Sequence, residues 1–380
     1  MAVATFKTDQ IVAGISFVVL AGIVTAGLWP FHAPANQVAW LRNGLLLGRH
    51  GTALSAKAFA TSEPRAEAGR SIEIWLQPTR AVDSSTILAF YNPVEPQQLS
   101  LHQSDDDLAL QTELESARRP EDPARIAYLE GVFRERGRLF ITITSGTQGT
   151  TAYVNGVPVN QFPRFRPGSR AFTGRLVLGN SPVENNSWPG LWLGLAIYDH
   201  ELTAAQTRSH YESWTAKGRP DIRDVERSAA VYLFDEGSGN IVHDIVHSPI
   251  SSGTDLRIPK KYMVLDEKFL EPAWKEFRWD WGYWKNVLIN IGGFIPLGFF
   301  CYAHLSARRM KAPALATILL GAAVSLTIEV LQAFLPTRDS GTTDLITNTF
   351  GTYFGVMLYR WKPTLLTQTL DRLTLPERQV

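Results

Sequence analysis

Four stretches of the chain are apolar enough to cross a membrane. They are Ile11–Trp29, Val287–Leu305, Ala312–Leu335 and Leu345–Trp361. Each approaches the roughly 20 residues that a helix needs to span a bilayer, and Pro296 is expected to kink the second. Only two charged residues, Glu329 and Arg360, interrupt these runs. The pattern therefore predicts four membrane helices, and the alternative is a set of buried helices in a soluble core.

The first apolar run has a second interpretation, a cleaved signal peptide, because Ala33-Pro34-Ala35 resembles a small-residue cleavage site. An uncleaved anchor is favoured, since the apolar part of a signal peptide is usually about 7–15 residues long. Both interpretations send the residues that follow to the same side of the membrane.

Between residues 36 and 215 the pattern changes to short runs that alternate apolar and polar residues, separated by Gly, Pro, Asn or Ser. The runs are Ser71–Pro78, Thr86–Pro93, Leu108–Leu114, Arg138–Ser145, Thr150–Val159, Gly174–Asn180 and Gly190–Asp199. Asn155-Gly156 between two of these runs is the signal of a tight type I′ hairpin. We predict an all-β antiparallel sandwich, which Val231–Val246 either completes or follows as a small hairpin.

Composition narrows the possible functions. The formal net charge is +1, which leaves no broad basic surface and argues against nucleic acid as a partner. The chain has 1 Cys, so intrachain disulfides and cysteine-cluster metal sites are excluded.

Positive charges predict the orientation of the helices. Lys and Arg near the ends of the apolar runs are Lys7, Arg308, Arg309, Lys311, Arg360 and Lys362. With four spans these residues share one side, which should be cytoplasmic, so both termini are cytoplasmic and residues 31–284 lie outside. Aromatic residues before the second span suit a membrane-interface belt, and the tail 363–380 suggests an interfacial helix.

Polar residues in the apolar runs or at their first positions are the main candidates for function, because such residues are costly in a bilayer. They occur at helical spacing as Asn286 and Asn290, Glu329 and Gln332, and Asp344 and Asn348. The predicted topology places them all near the outer ends of their helices, where Arg338 could pair with Glu329 or Asp344. Small residues on the same spans suggest close helix packing, namely Gly293, Gly298, Gly351 and Gly355.

Two polar sites in the sandwich region receive weaker support. Asn180, Glu184 and Asn185 could supply oxygen ligands to Ca²⁺, although ordinary turn chemistry explains them as well. Glu73 alternates with Ile72 and Ile74 and is expected to face solvent. We find no second carboxylate near it in the strand pattern, so a glycosidase mechanism has little support.

Several motifs of the β-rich region resemble the LamG or concanavalin A-like lectin jelly roll. They are SIEIWLQP, the Tyr153-Val154-Asn155-Gly156 hairpin, LVLGN and WPGLWLGLAIYDHELTAAQ. The resemblance implies that Trp75 lies in the core and that Leu202–Trp214 forms a helix closing the sandwich. It also implies binding of glycans or proteins, in some members through Ca²⁺.

The C-terminal spans resemble the VanZ-like membrane family, whose founding member confers resistance to a glycopeptide antibiotic. The motifs are KNVLINIGGFIPLGF, SLTIEVLQAFLPTR and DLITNTFGTYFG. The family pattern falls on Asn290, Pro296, Gly298, Glu329, Gln332, Arg338, Asp344, Asn348 and Gly351. Asn286 departs from it, since an acidic residue is common there.

These observations predict a multidomain membrane protein with a four-span α-helical VanZ-like bundle and an inserted jelly roll. The predicted parts are a cytoplasmic N-terminus with the first membrane helix at 1–30, a jelly roll at 36–215 and a linker at 216–284. Three further membrane helices follow at 285–362, and a cytoplasmic tail at 363–380. The leading hypothesis is a cell-envelope protein that recognises a glycan or cell-wall polymer. The alternatives are a membrane enzyme acting on a lipid-linked saccharide through Glu329, Arg338 and Asp344, and a structural scaffold for envelope proteins.

Overall fold

The computed structural model describes residues 2–60, 69–94, 98–112, 126–221, 228–246, 253–279 and 281–365. The chain forms two compact units. Ala33–Asp266 is the sandwich unit, and Met1–His32 together with Glu267–Val380 is the membrane unit. The expected helix in the tail after Pro363 falls largely outside the described residues.

Two antiparallel sheets make up the sandwich unit, each with eight strands among the described residues. Sheet 1 contains β1 (Val38–Leu41), β2 (Gly44–Leu47), β4 (Arg70–Pro78), β9 (Leu139–Gly146), β10 (Gly149–Val154), β11 (Val157–Phe162), β13 (Gly190–Tyr198) and β14 (Ser228–Tyr232). Its order is β1-β2-β13-β4-β9-β10-β11, and β14 also pairs with β13.

Sheet 2 faces the same core. It contains β3 (Ala53–Ser55), β5 (Asp83–Tyr91), β6 (Leu99–Asp105), β7 (Asp107–Thr112), β8 (Ile126–Leu129), β12 (Arg175–Leu178), β15 (Ile241–Val242) and β16 (Leu256–Arg257). Its order is β15-β16-β3-β12-β5-β6-β7-β8, and a short 3₁₀ turn at Ser169–Phe172 precedes β12. The predicted antiparallel jelly-roll-like sandwich is confirmed.

Alternation along the strands sends one side chain in two into the core between the sheets. Ile72, Ile74 and Leu76 of β4 are fully buried there, as are Leu99 and Leu101 of β6. The hairpin between β10 and β11 has Asn155 and Gly156 at φ 53° and 74°, as a type I′ turn requires. The register pairs Val154 with Val157 across it. Local sequence signals therefore determine this part of the fold.

One helix, α2 (Ala204–Lys217), covers the outer face of sheet 1. Thr203 and Gln206 form its capping box, and Gly218 ends it at φ 71°. Trp214 packs with Phe140 and Tyr198, and Trp75 is half-buried against this second cluster rather than in the main core. The helix expected to close the sandwich is therefore present.

Glu73 corrects the expectation that it faces solvent. It does point away from Ile72 and Ile74, but α2 covers that face and leaves the side chain 1% exposed. The hydroxyl of Tyr198 donates to Oε2 at 2.8 Å, and Nδ1 of His210 lies 2.9 Å from Oε1. Strand alternation indicates which face a residue takes, but whether a helix covers that face depends on distant sequence.

The beginning and end of the sandwich unit lie side by side. Ala35 and Lys261 form an antiparallel bridge, and the backbone of Tyr262 donates to Pro34 at 3.0 Å. The compact unit thus continues to Asp266, past residue 215, because β14 joins sheet 1 and β15 and β16 join sheet 2.

The membrane unit contains α1 (Ala2–Leu28), the short α3 (Ala273–Glu276), α4 (Trp281–Ala307), α5 (Pro313–Gln332) and α6 (Thr342–Trp361). Among the residues that the structure describes, three helical stretches are long and apolar enough to cross a membrane, namely Gln10–Leu28, Trp281–Ala307 and Pro313–Gln332. Polar residues at the start of α6 set it apart from these three, so four spans remain a prediction. Pro296 lies inside α4, and the helix continues through it.

Candidate functional site

The outer face of sheet 2 carries a cavity of about 300 Å³. Strand alternation points Ser100 and His102 of β6 outward, because Leu99 and Leu101 point into the core. Its lining residues are Thr86, Ala89, Phe90, Tyr91, Asn92, Pro93, Gln98, Ser100, His102, Gln111, Ser181, Pro182, Val183, Glu184 and Asp266. Hydroxyl, amide, imidazole and carboxylate groups thus converge on one concave surface.

His102 is held in place within the cavity by two neighbouring hydroxyl groups. Nδ1 lies 3.1 Å from the Thr86 hydroxyl, and Nε2 lies 2.8 Å from the Ser100 hydroxyl. Burial lowers the pKa of His102, and the negative charge of Glu184 acts in the opposite direction. A neutral imidazole has one donor and one acceptor, and both are used here to orient the two hydroxyl groups, whose remaining hydrogen-bonding capacity suits polar neutral groups.

Asp266 completes one wall of the cavity from a position far along the chain. The backbone N–H groups of Leu265 and Asp266 both donate to the Pro182 carbonyl at 3.0 Å. The hydroxyl of Tyr91 donates to the Asp266 carboxylate. Burial and this hydrogen bond raise the pKa of Tyr91, which therefore stays protonated.

A second cavity of about 540 Å³ adjoins the first and shares Tyr91, Asn92 and Pro93 with it. Arg175 lines this neighbouring cavity, with Nη2 and Nε of its guanidinium donating to the Ser55 carbonyl at 2.9 and 3.1 Å. The two cavities together form one extended concave surface.

The candidate calcium ligands Asn180, Glu184 and Asn185 take part in three different sets of contacts. Oδ1 of the fully buried Asn180 accepts from the backbone of Asn186 at 3.2 Å, and Oδ1 of Asn185 accepts from the Tyr262 hydroxyl at 2.8 Å. Glu184 instead lines the cavity. Within the described ranges, no group of three or more His, Cys, Asp or Glu side chains is placed to hold a metal ion. The Asn180 and Asn185 oxygens are thus engaged in hydrogen bonds within the protein, and a Ca²⁺ site at this loop stays a prediction.

In the membrane unit, Glu329 meets the beginning of α6. Its side chain is 1% exposed, and Oε2 accepts from the backbone N–H of Gly341 at 2.9 Å. Asn290 of α4 donates to Oδ1 of Asp344 at 2.7 Å, and Asn348 donates to the Ser325 hydroxyl at 3.0 Å. The structure thus places α4, α5 and α6 in polar contact, whereas Asn286 is on the exposed surface of α4.

Gln332 and Arg338 meet a different element, the C-terminal end of α1. Gln332 donates to the Gly27 carbonyl at 2.9 Å. The Arg338 guanidinium donates to the carbonyl oxygens of Trp29, at 2.7 Å, and Ala26, at 3.4 Å. The last carbonyls of a helix lack partners within it and carry partial negative charge, which explains this preference. Among the described ion pairs, none joins Arg338 to Glu329 or Asp344.

Glu276 is a further member of the membrane-unit polar group that the sequence interpretation missed. Its Oε2 accepts from the backbone N–H of Thr343 at 2.9 Å, and its carboxylate lies where a Cβ on Gly341 would sit. Glu276 and Glu329 therefore both approach the first residues of α6. The sequence feature that could have identified Glu276 is its position as an acidic residue within the aromatic segment before α4.

Three of the four candidate packing glycines lie against a neighbouring backbone. A Cβ on Gly351 or Gly355 would collide with the carbonyl of Ile291 or Ile295 in α4, and one on Gly298 would collide with Thr352 of α6. Gly293, in contrast, faces open space. These contacts let α4 and α6 approach closely.

Comparison with known proteins identifies the two parts of the chain. Residues 53–207 match the family model of the concanavalin A-like lectin/glucanases superfamily. Residues 247–365 match the VanZ/LLP1 family model. One chain thus contains a region that matches each of the two families, as the resemblances implied, together with helices that are long and apolar enough to span a bilayer.

Solved structures provide more distant likenesses. A Bacteroides ovatus protein described as carbohydrate-binding has 12% identity and a TM-score of 0.36, over 55% of this chain and 60% of that one. The binding domain of Paraclostridial Mosquitocidal Protein 1 has 13% identity and a TM-score of 0.30, over 48% of this chain and 46% of that one. Trypanosoma rangeli sialidase has 15% identity and a TM-score of 0.35, over 48% of this chain and 29% of that one. The chain thus spans less than two thirds of each. A search of curated proteins gave no match.

Proposed function

We propose that this protein is a membrane-anchored cell-envelope protein whose sandwich binds a glycan in the cavity on the outer face of sheet 2. The cavity is the observation that carries the proposal. It combines the hydroxyl groups of Thr86 and Ser100, the amide of Gln111 and the imidazole of His102 on one concave surface. Fixed groups of this kind can match the alternating donors and acceptors of a sugar, with little cost of ordering on binding.

The proposed orientation places the sandwich outside the cytoplasm and both termini inside it. The positive residues near the helix ends support this orientation, since such residues favour the cytoplasmic side. In this arrangement α6 is the fourth span, and its polar first turn lies toward the outer leaflet. The envelope polymer that the sandwich meets would then be a cell-wall glycan or a lipid-linked saccharide.

Binding of the full-length protein in detergent micelles to a glycan array tests the proposal, with Ca²⁺ and separately with a chelator. His102→Ala should weaken binding by about tenfold, because it removes the group that orients the Thr86 and Ser100 hydroxyls, and one hydrogen bond to the sugar is worth about 1.4 kcal/mol. His243→Ala is the matched control, since this imidazole is 62% exposed in another part of the sandwich. Failure to bind any surface polymer would contradict the proposal and would favour a protein as the binding partner of the sandwich.

We also propose that the carboxylates of the membrane unit hold α6 in place rather than catalyse a reaction. Glu276 and Glu329 each accept a backbone N–H at the start of that helix, where anions are stabilised. The enzymatic alternative pairs Glu329 with Arg338, but the Arg338 guanidinium binds α1.

Glu329→Gln distinguishes these two roles. The amide keeps an acceptor for Gly341, so we expect an intact fold, whereas Glu329→Ala should cost about 1–3 kcal/mol by leaving that buried N–H without a partner. Turnover of a lipid-linked saccharide by the wild type, lost in a folded E329Q variant, would favour the enzymatic alternative.

A further inference from the structure

We infer that the cavity on sheet 2 selects a glycan with a free amino group, a cationic hexosamine, and rejects anionic polymers. This inference rests on the proposed glycan-binding function and specifies its ligand class. The feature behind it is the distribution of charge around the cavity.

Two carboxylates, those of Glu184 and Asp266, line the cavity, and no Lys or Arg is among its described lining residues. Arg175 lines the neighbouring cavity and directs its guanidinium to the Ser55 carbonyl. The cavity therefore carries formal negative charge that no lining cation offsets. An anionic sugar would meet like charge there, whereas an ammonium group would meet two possible partners.

Both carboxylates have acceptor capacity for a ligand. Asp266 accepts from the Tyr91 hydroxyl, but a carboxylate has about four acceptor sites, so further donors can bind. Glu184 lines the same cavity as His102, and its negative charge acts on that imidazole. Burial disfavours the charged form of His102, so the imidazole adds little opposing positive charge.

The remaining lining groups suit the rest of a sugar ring. Asn92, Ser100 and Gln111 are neutral and polar, as recognition of hydroxyl groups requires. Charge-assisted hydrogen bonds from ammonium to carboxylate are roughly twice as strong as neutral ones, so the amino group should dominate the selection. Together these groups fit a hexosamine better than an uncharged hexose.

The test compares three oligosaccharides of matched length with the full-length protein in detergent, by calorimetry, in a chelator-containing buffer at mildly acidic pH. The probes are chitosan (free amine), chitin (acetylated, neutral) and hyaluronan (anionic) oligosaccharides. We expect chitosan to bind at least about tenfold more tightly than chitin, hyaluronan not to bind, and the preference for chitosan to fall as salt is added.

Glu184→Gln and Asp266→Asn identify the groups responsible. Each keeps the shape of the side chain, and each should reduce the preference for chitosan over chitin without abolishing chitin binding. Glu212→Gln is the control, because this carboxylate is exposed on α2 and pairs with Arg208. An unchanged preference in both cavity variants would overturn the inference.

The outcomes also separate this inference from the proposed function. Equal or tighter binding of chitin or hyaluronan would overturn the amino-sugar inference and leave glycan binding intact. Calcium-dependent binding of a neutral sugar would also overturn the amino-sugar inference and leave glycan binding intact. Absence of binding to all three probes and to the whole glycan array would instead contradict glycan binding itself.

Discussion

A single carboxylate, that of Glu73, connects α2 to the outer face of sheet 1. Its two oxygens meet Tyr198 and His210, and water cannot reach the site to replace either partner. Buried polar groups are costly when one partner is removed, because the other loses its hydrogen bond without regaining hydration. This residue should therefore stabilise the sandwich more than any exposed ion pair does.

We predict that Glu73→Ala lowers the free energy of unfolding of the sandwich by about 3–5 kcal/mol. Glu212→Ala, which removes an exposed pair with Arg208, should change it by at most about 1 kcal/mol. Chemical denaturation of the full-length protein in detergent measures both. Equal effects of the two substitutions would contradict the structural role given to Glu73.

His102 should make the stability of the sandwich depend on pH. Burial lowers its pKa below the ordinary 6.5, despite the opposing charge of Glu184, so the unfolded chain binds the proton more readily. Its contribution is therefore complete above about pH 6.5 and declines as the pH falls below it. His102→Gln should flatten the wild-type melting temperature profile in this interval, and an identical profile would contradict the prediction.

The packing of α4 against α6 depends on positions without side chains. Gly351 and Gly355 are one turn apart on α6 and face carbonyl groups of α4, so any Cβ there would force the helices apart. We predict that Gly351→Ala destabilises the membrane unit by about 1–3 kcal/mol. Gly293→Ala, at a position facing open space, should be tolerated. Thermal stability in detergent compares the two, and equal loss in both would refute the packing role.

Some of these relationships could be predicted from local sequence and some could not. The alternation in Ser71–Pro78 and the Asn155-Gly156 turn specify strands and a hairpin, because their signals lie within a few residues. The position of Arg338 was not predictable in this way, since charge pairing suggested a carboxylate while the end of α1 offered unpaired carbonyls. The cavity was also missed, because β6, Glu184 and Asp266 meet only after folding.

The sandwich unit is inserted between two membrane helices, and its first and last segments pair through Ala35 and Lys261. A domain closed in this way has its core and both sheets within residues 33–266. We predict that a protein consisting of residues 33–266 is soluble and unfolds cooperatively, with a melting temperature within about 5 °C of the sandwich transition in the full-length protein. Aggregation, or a broad transition, would show that it needs the helices.

The paired ends have a consequence for protein engineering. Because chain entrance and exit are neighbours, the host helices need only two nearby attachment points, whatever module is carried between them. Such a site accepts replacement as well as insertion, so an unrelated domain with adjacent termini should be graftable after His32 and before Glu267. The VanZ region would then serve as a general platform for displaying a chosen binder at a membrane surface.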